Sequence, residues 1–293
     1  MNPWFVTGFS DAESCFTLSV VRNKERKVGW RVSYCFQITI HKKDLVLLEQ
    51  IQSYFLVGSI TKHRSDSIHY RVQSVENLIV IVNHFDKYPL ITKKWADYQL
   101  FKQVLMLIQN KEHLTMEGLS KIVAIKASMN NGLPDELKAA FPNIIPAPRP
   151  LIESIEIKDS AWLAGFIEGE GCFQVVIQKS SSTKIGLSVS LRFTLTQHSR
   201  DEQLLKSLVN YLGCGGYYLV SGRDLGKFIV TRFSDIESKI MPFFDKYPIL
   251  GVKSKDFYDW CRLGELIKDK KHLTQEGLDQ IRKIKAGMNT GRK

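Results

Sequence analysis

The 293-residue chain has no run of about 20 apolar residues, so no segment of it is long and apolar enough to cross a bilayer as a helix. Its first residues already enter a patterned segment, which leaves no room for a secretory signal peptide and predicts an intracellular or organellar protein. The five cysteines, Cys15, Cys35, Cys172, Cys214 and Cys261, are scattered, odd in number and without a CxxC pair. That spacing offers neither a zinc site nor a disulfide framework and fits a reducing compartment. Acidic charge is scarce relative to basic: 30 Asp and Glu stand against 41 Lys and Arg, a formal charge of +11. The surplus favours a polyanionic partner, nucleic acid first, although charge alone does not name it.

What the chain does contain is a duplication. GFSDAESCF (8–16) returns as GFIEGEGCF (165–173), and HKKD (41–44) as HSRD (198–201). FDKYPLITKKWADY (85–98) returns as FDKYPILGVKSKDF (244–257), and HLTMEGLSKIVAIKASMNNG (113–132) as HLTQEGLDQIRKIKAGMNTG (272–291). Four blocks in one order mark two copies of one unit. Proline-rich, weakly periodic sequence separates them, with a short helical piece expected at its start. The expected division is a first domain over 1–131, a linker over 132–153 and a second domain over 154–293, a dimer built into one chain.

Each copy reads as helix, two strands, helix, two strands, then helices, a mixed α/β (α+β) fold. Phe16, Leu18 and Val20 alternate with Thr17 and Ser19; Val32, Tyr34, Phe36, Ile38 and Ile40 alternate with Arg31, Ser33, Cys35, Gln37 and Thr39. In the second copy Leu187, Val189, Leu191, Phe193 and Leu195 alternate with Ser188, Ser190, Arg192, Thr194 and Thr196. Later strands set His69, Arg71 and Gln73 against Ile68, Tyr70 and Val72, and Lys227, Ile229 and Thr231 against Phe228 and Val230. Such period-two patterns predict half-buried antiparallel strands. The outward set, with Gln174 and Gln178 of the second copy, is an ordinary solvated face or a face that reads bases. Arg and Lys suit guanine edges, Gln suits adenine, and Ser and Thr serve bases or phosphates. Two opposed sheets of such strands would follow about 20 base pairs of duplex.

Gly8 and Ala12, and likewise Gly165 and Gly169, share a helix face, so each motif helix is expected to pack on its duplicate. That packing would bring Glu13 toward Glu170 at helix C-termini, where dipole and mutual repulsion disfavour carboxylates unless a hard divalent cation holds them. Mg²⁺ bound by Glu13, Glu170 and scissile phosphate oxygens would activate water and stabilise the leaving alkoxide, with Mn²⁺ as a substitute and Ca²⁺ binding without efficient cleavage. Gln197 ends the polar strand of the second copy where the first has Ile40. Lys94 and Lys253 follow the duplicated FDKYP block and serve either as surface groups or as stabilisers of the central phosphates. Asp11 and Glu168 read as capping or interface-supporting groups.

LAGFIEGEG (163–171), its weaker partner VTGFSDAES (6–14), the FxxxQH-like ending at 193–198 and the repeated tails resemble the single-chain, double-motif LAGLIDADG homing endonucleases, most nearly the fungal organellar I-OnuI-like subgroup. The resemblance covers nearly the whole chain. It implies αββαββα units, paired sheets in the major groove, and divalent-metal-dependent cleavage of both strands of a long asymmetric site with short 3′ overhangs. It carries metal binding and catalysis to Glu13 and Glu170 and supporting roles to Gln197, Lys94 and Lys253. It further implies a monomer encoded within an intron and working in a mitochondrial or other organellar matrix. Ser14 departs from the family's glycine after the acid. An intron RNA maturase and a noncleaving DNA-binding regulator would share this scaffold.

Overall fold

The computed structural model describes residues 1–152 and 154–292; Glu153, the last position of the expected linker, and Lys293, the last of the expected second domain, lie outside the described residues. The chain forms two compact units, one of Glu13–Glu156 with Met1, the other of Ile157–Lys293 with Asn2–Ala12. Among the described residues no helix is long and apolar enough to cross a membrane.

In the first unit, β1 (Ser14–Arg22) and β2 (Trp30–His41) form a hairpin, α2 (Leu45–Phe55) follows, and β3 (Ser59–Arg64) and β4 (Ser67–Val72) form a second hairpin. The antiparallel sheet runs β1-β2-β4-β3. Helices α3 (Val75–Lys87), α4 (Lys94–Gln109) and α5 (Met116–Ser128) complete the repeat, and α6 (Asp135–Ala140) falls in the proline-rich stretch. The second unit repeats the plan with α7 (Ser160–Glu170), β5 (Gly171–Lys179), β6 (Leu187–His198), α8 (Glu202–Leu212), β7 (Gly216–Leu219) and β8 (Leu225–Val230). After a one-turn α9 (Phe233–Asp235) come α10 (Met241–Lys246), α11 (Lys253–Lys268) and α12 (Gln275–Ala286). Its sheet runs β5-β6-β8-β7. Each copy of the repeated sequence thus forms the αββαββα order expected from the alternation, with Asn2–Ala12 of the first copy's opening helix counted in the second compact unit.

Pleating sends every second side chain to one face, and in each unit one aromatic residue of the first strand centres the core. Phe16 lies 5.4 Å from both Tyr98 and Phe101 and 5.7 Å from Phe85, so α3 and α4 cover the apolar face. Phe173 does the same against Phe193, Phe244, Phe257 and Trp260 at 5.2–5.5 Å. Cys35 departs from the simple alternation. It shares the outward face of the inner strand β2 yet is buried, its carbonyl accepting from Thr17 Oγ1 at 3.0 Å.

The repeated HLTxEGL segments are structural. Lys111 takes a left-handed conformation (φ 60°), one 3₁₀ turn follows, and Thr115 caps α5 by accepting from Gly118 N at 3.1 Å. A Cβ on Gly118 would stand 2.1 Å from Glu112 O. In the second unit Lys270 (φ 59°), Thr274 accepting from Gly277 N at 3.1 Å, and Gly277 against Lys271 O repeat the device. The motif therefore fixes the entry of a helix, and glycine is required because the backbones touch.

His84 is buried in α3 with Tyr54 Oη 3.0 Å from its Nδ1, and burial lowers its pKa to about 3. The unfolded chain binds a proton there near pH 6.5 and the folded one does not. The contribution of a neutral His84 to stability is complete above about pH 6.5 and is lost as pH falls toward 3. Between pH 6.5 and 5.5, above the carboxylate range, stability should fall by about 1 kcal/mol from this group alone. Urea unfolding of parent and His84→Gln proteins at those two pH values tests it, and equal slopes would count against the assignment.

Candidate nucleic-acid interface and acidic helix ends

Strand register gathers the outward polar residues into rows. In the first unit one row runs Ser59, Arg71, Gln37, Cys15, and the next Thr61, His69, Thr39. Ser33 pairs with Ser19, and Arg31 with Val21. In the second unit Arg192 faces Gln174, Ser188 faces Gln178, Ser190 faces Val176, and Lys227 lies between Thr196 and Tyr218. Gln73 and Thr231 are exposed just past the ends of β4 and β8 rather than within them. Thr194 is the exception among the sequence candidates: the inner strand β6 holds it between Cys172 and Ile229, buried to 6 %.

Two arginines mark these faces. Arg71 Nε and Arg192 Nε are buried without a hydrogen-bond partner among the described residues. A buried donor left without a partner costs about 1–3 kcal/mol, so each of these Nε groups is a donor with no acceptor among the described residues. Sequence reasoning missed the basic groups at the hairpin tips: Lys24, Arg26 and Lys27 after β1, and Lys62 and Arg64 at the end of β3, all exposed. The runs NKERK and TKHR were their signal.

The acids sit where helix meets strand. Helix α1 (Pro3–Glu13) ends on Glu13 and β1 begins at Ser14; α7 ends on Glu170 and β5 begins at Gly171. Both glutamates are half-buried. The other acids of the motifs are buried and structural: Asp11 accepts from Trp162 Nε1 at 2.9 Å, and Glu168 Oε2 accepts from the amides of Leu250 and Gly251 at 2.9 and 2.8 Å. A Cβ on Gly171 would lie 2.4 Å from Ile167 Cγ2. The copy that carries Ser14 has the smaller Ser10 four residues before it, where the other has Ile167.

Gly8 and Gly165 lie at a close helix crossing. A Cβ on Gly8 would stand 1.8 Å from Trp162 O, and one on Gly165 2.1 Å from Phe5 O. Ala12 and Gly169 lie one turn further along the same helices.

Lys94 and Lys253 are the first residues of α4 and α11, both half-buried. Lys253 Nζ donates to Ile167 O at 3.0 Å and Gly169 O at 2.9 Å, which docks its charge on the C-terminal turn that ends in Glu170. Burial raises the Cys172 thiol and the Lys253 charge opposes that shift; burial and Lys94 act likewise on Cys15. Gln197 is half-buried near the end of β6, its Oε1 accepting from His198 N at 3.3 Å. His41 and His198 are caps: the Nδ1 of each accepts an amide two residues on, from Lys43 at 3.1 Å and Arg200 at 3.2 Å.

A second missed set is Asp97, Asn130 and Arg149, with Asp256, Asn289 and Arg292 in the other unit. The Asp and Asn members recur at the shift of 159 and were visible in principle, whereas the two arginines come from unrelated positions.

Curated fungal proteins match nearly all of this chain, and solved structures superpose on it along its whole length. "Probable intron-encoded endonuclease 3" of Neurospora crassa is 42% identical over 284 residues, 96% of this chain and 53% of that protein; "Probable intron-encoded endonuclease 2" of the same fungus is 41% identical over 97% of this chain and 64% of its own length. The chain thus spans about half to two thirds of these curated relatives. The crystal structure of the I-SmaMI LAGLIDADG homing endonuclease bound to cleaved DNA superposes with a TM-score of 0.98 and 49% identity, covering 100% of this chain and 98% of that one. I-SmaMI bound to an uncleaved DNA target in the presence of calcium ions superposes with a TM-score of 0.97 and 49% identity, covering 99% of each chain. Two copies of the LAGLIDADG endonuclease family model match at residues 6–105 and 163–263, more than half of the sequence, and this chain therefore belongs to the LAGLIDADG endonuclease family.

Proposed function

We propose that the chain is a site-specific, divalent-metal-dependent endonuclease that hydrolyses both strands of a long asymmetric duplex near its centre and leaves short 3′ overhangs. The observation that carries this reading is repeated in each copy of the sequence: a helix ends on a half-buried glutamate, and the strand that follows opens a sheet whose outward rows hold Arg, Gln and Thr, with Lys227 added in the second. The likeness to a nuclease bound to cleaved DNA supports the same reading. The partner is double-stranded DNA of about 20 base pairs.

Glu13 and Glu170 are the proposed metal ligands and catalytic carboxylates. Among the described residues no three His, Cys, Asp or Glu side chains gather into a closed cage. One carboxylate per helix end instead suits Mg²⁺, which keeps waters and is commonly held by one or two carboxylates plus substrate phosphates. Mn²⁺ is the expected substitute, with Ca²⁺ supporting binding alone. When bound, the cation supplies a water of lowered pKa and neutralises charge on the phosphoryl group. Lys253, docked on the carbonyls of Ile167 and Gly169, brings a fixed positive charge beside Glu170 for the developing anion, and Lys94 has that task in the first unit. Gln197 orients water or phosphate in the second unit, where Ile40 leaves the first without an equivalent.

Arg71, Arg192, Gln37, Gln174, Lys227 and their row neighbours are the proposed base and phosphate contacts, with Gly8, Ala12, Gly165 and Gly169 supporting the helix interface. The domain division at 1–131, 132–153 and 154–293 and membership of the I-OnuI-like subgroup belong to the same proposal. Two motifs in one chain favour a monomer, and the intron-encoded relatives favour an intron-borne protein of the mitochondrial or another organellar matrix.

Incubation of the protein and Mg²⁺ with a randomised duplex library, followed by sequencing of both broken ends, tests the proposal. Recovery of one long consensus with staggered breaks is expected. No cleavage, together with selective binding of intron RNA by the unmodified chain, would move the assignment to a maturase.

A further inference from the structure

We infer that Asp97–Asn130–Arg149 and Asp256–Asn289–Arg292 are positioning clamps that set Lys94 and Lys253 against the strand that follows each acid. This rests on the endonuclease reading above and extends it to residues beyond the acids and the lysines.

In the first unit Asp97 lies one turn after Lys94 on α4. Its Oδ1 accepts from Asn130 N at 3.0 Å and Arg149 Nη1 at 2.8 Å, and its Oδ2 from Arg149 Nη2 at 2.9 Å. Arg149 also donates to Ser128 O at 2.7 Å and to Lys93 O at 3.1 Å, the residue before Lys94. Asn130, held in a left-handed conformation (φ 48°), donates from Nδ2 to Phe16 O at 2.9 Å. One connected set thus ties the N-terminal turn of α4 to β1, three residues from Glu13.

The second unit rebuilds the set. Asp256, one turn after Lys253, accepts on Oδ1 from Asn289 N at 3.0 Å and Arg292 Nε at 2.8 Å, while Asn289 (φ 54°) donates to Phe173 O at 3.0 Å. Arg292 also reaches Asp259. Asp and Asn recur at the duplicated positions, but the arginine does not. Arg149 stands 19 residues after its Asn and Arg292 only 3, counting 149 − 130 and 292 − 289. Arrival of the same ion pair from two unrelated chain positions indicates a requirement on the site rather than inheritance of a core contact.

A clamp is suited to this because both aspartates are buried and charge-assisted bonds fix geometry as well as energy; Asp97 and Arg149 form a bidentate pair, while Arg292 divides its guanidinium between Asp256 and Asp259. A lysine on the first turn of a helix has a flexible stem, so the helix end must be placed before the ammonium can be. Misplacement by about 1 Å costs on the order of a hundredfold in rate.

The test uses the full chain and its selected target. Arg149→Met, Asn130→Gly and Asn289→Gly are compared with the parent in single-turnover cleavage with Mg²⁺, in target binding with Ca²⁺, and in urea unfolding. Glycine keeps the left-handed backbone and removes only the side-chain tether. Leu78→Ala, a core truncation in α3 that removes no clamp residue, controls for lost stability. Each clamp variant should cut about 10- to 100-fold more slowly while its Kd stays within about threefold. Nicked circles should accumulate on a plasmid target, because one clamp is left whole. If Leu78→Ala slows cleavage as much, or if the clamp variants cut at the parental rate, the assignment is overturned while the endonuclease reading stands. A parent that cuts no target overturns both.

Discussion

Glu170→Gln is expected to lower the cleavage rate about a thousandfold, with target affinity in Ca²⁺ within a few fold of the parent. Gln keeps the shape of the side chain and removes its charge, so the loss reports the charge. The same change should leave folding stability unaltered or raise it by up to about 1 kcal/mol, because a half-buried carboxylate at a helix C-terminus faces the negative end of the dipole. A residue that harms the fold where it stands and is needed only for chemistry gives this opposed pair of effects. Glu13→Gln should behave likewise, with a smaller or larger loss on one strand, since Ile40 stands where the other copy has Gln197. Strand-specific labelling of the duplex resolves the two rates. Gln variants that cut as fast as the parent would remove both acids from the metal site even if the chain remained a nuclease.

The sheets were legible in the sequence because period-two alternation is a direct image of pleating, and the duplication checked each strand against a copy. Alternation says which face a residue points to but not what covers that face. Cys35 and Thr194 were assigned outward on it, yet both are buried on the inner strands of their sheets. The lysines were found by recurrence, whereas their geometry was not, because Lys253 bonds to backbone carbonyls, and a main-chain partner leaves no trace in side-chain identity. Arg149 was hidden for the opposite reason: its counterpart Arg292 lies at a different spacing, so comparing the copies discards it. The repeated HLTxEGL tail was legible as a duplicated block and a family mark but not by its task; its cap and its glycine contact explain it without any role in chemistry.

Gly8→Ala and Gly165→Ala should each cause a large loss of stability. The added carbon at Gly8 would meet Trp162 O at 1.8 Å, and that at Gly165 would meet Phe5 O at 2.1 Å. Ordinary carbon–oxygen contact begins more than about 1 Å further out, and the obstacle is main chain, so no rotamer change relieves it. The helices must separate within a core where Phe5, Val6, Trp162 and Phe166 are buried. Overpacking of this kind costs about 1–3 kcal/mol and sometimes more, and the backbone contact places both changes at the upper end. Alanine's better helix propensity offsets about 1 kcal/mol. The expected net loss is about 2 kcal/mol for each, read by urea unfolding. Gly29→Ala is the control, since nothing stands within 4 Å and only its left-handed φ of 72° is strained, a cost of about 1–2 kcal/mol. The double change Gly8→Ala/Gly165→Ala should lose less than the sum of the singles, because both carbons press on one crossing and a single separation accommodates them. Additive losses would show that each glycine meets its own obstacle, and losses below that of Gly29→Ala would show that the helices part without resistance.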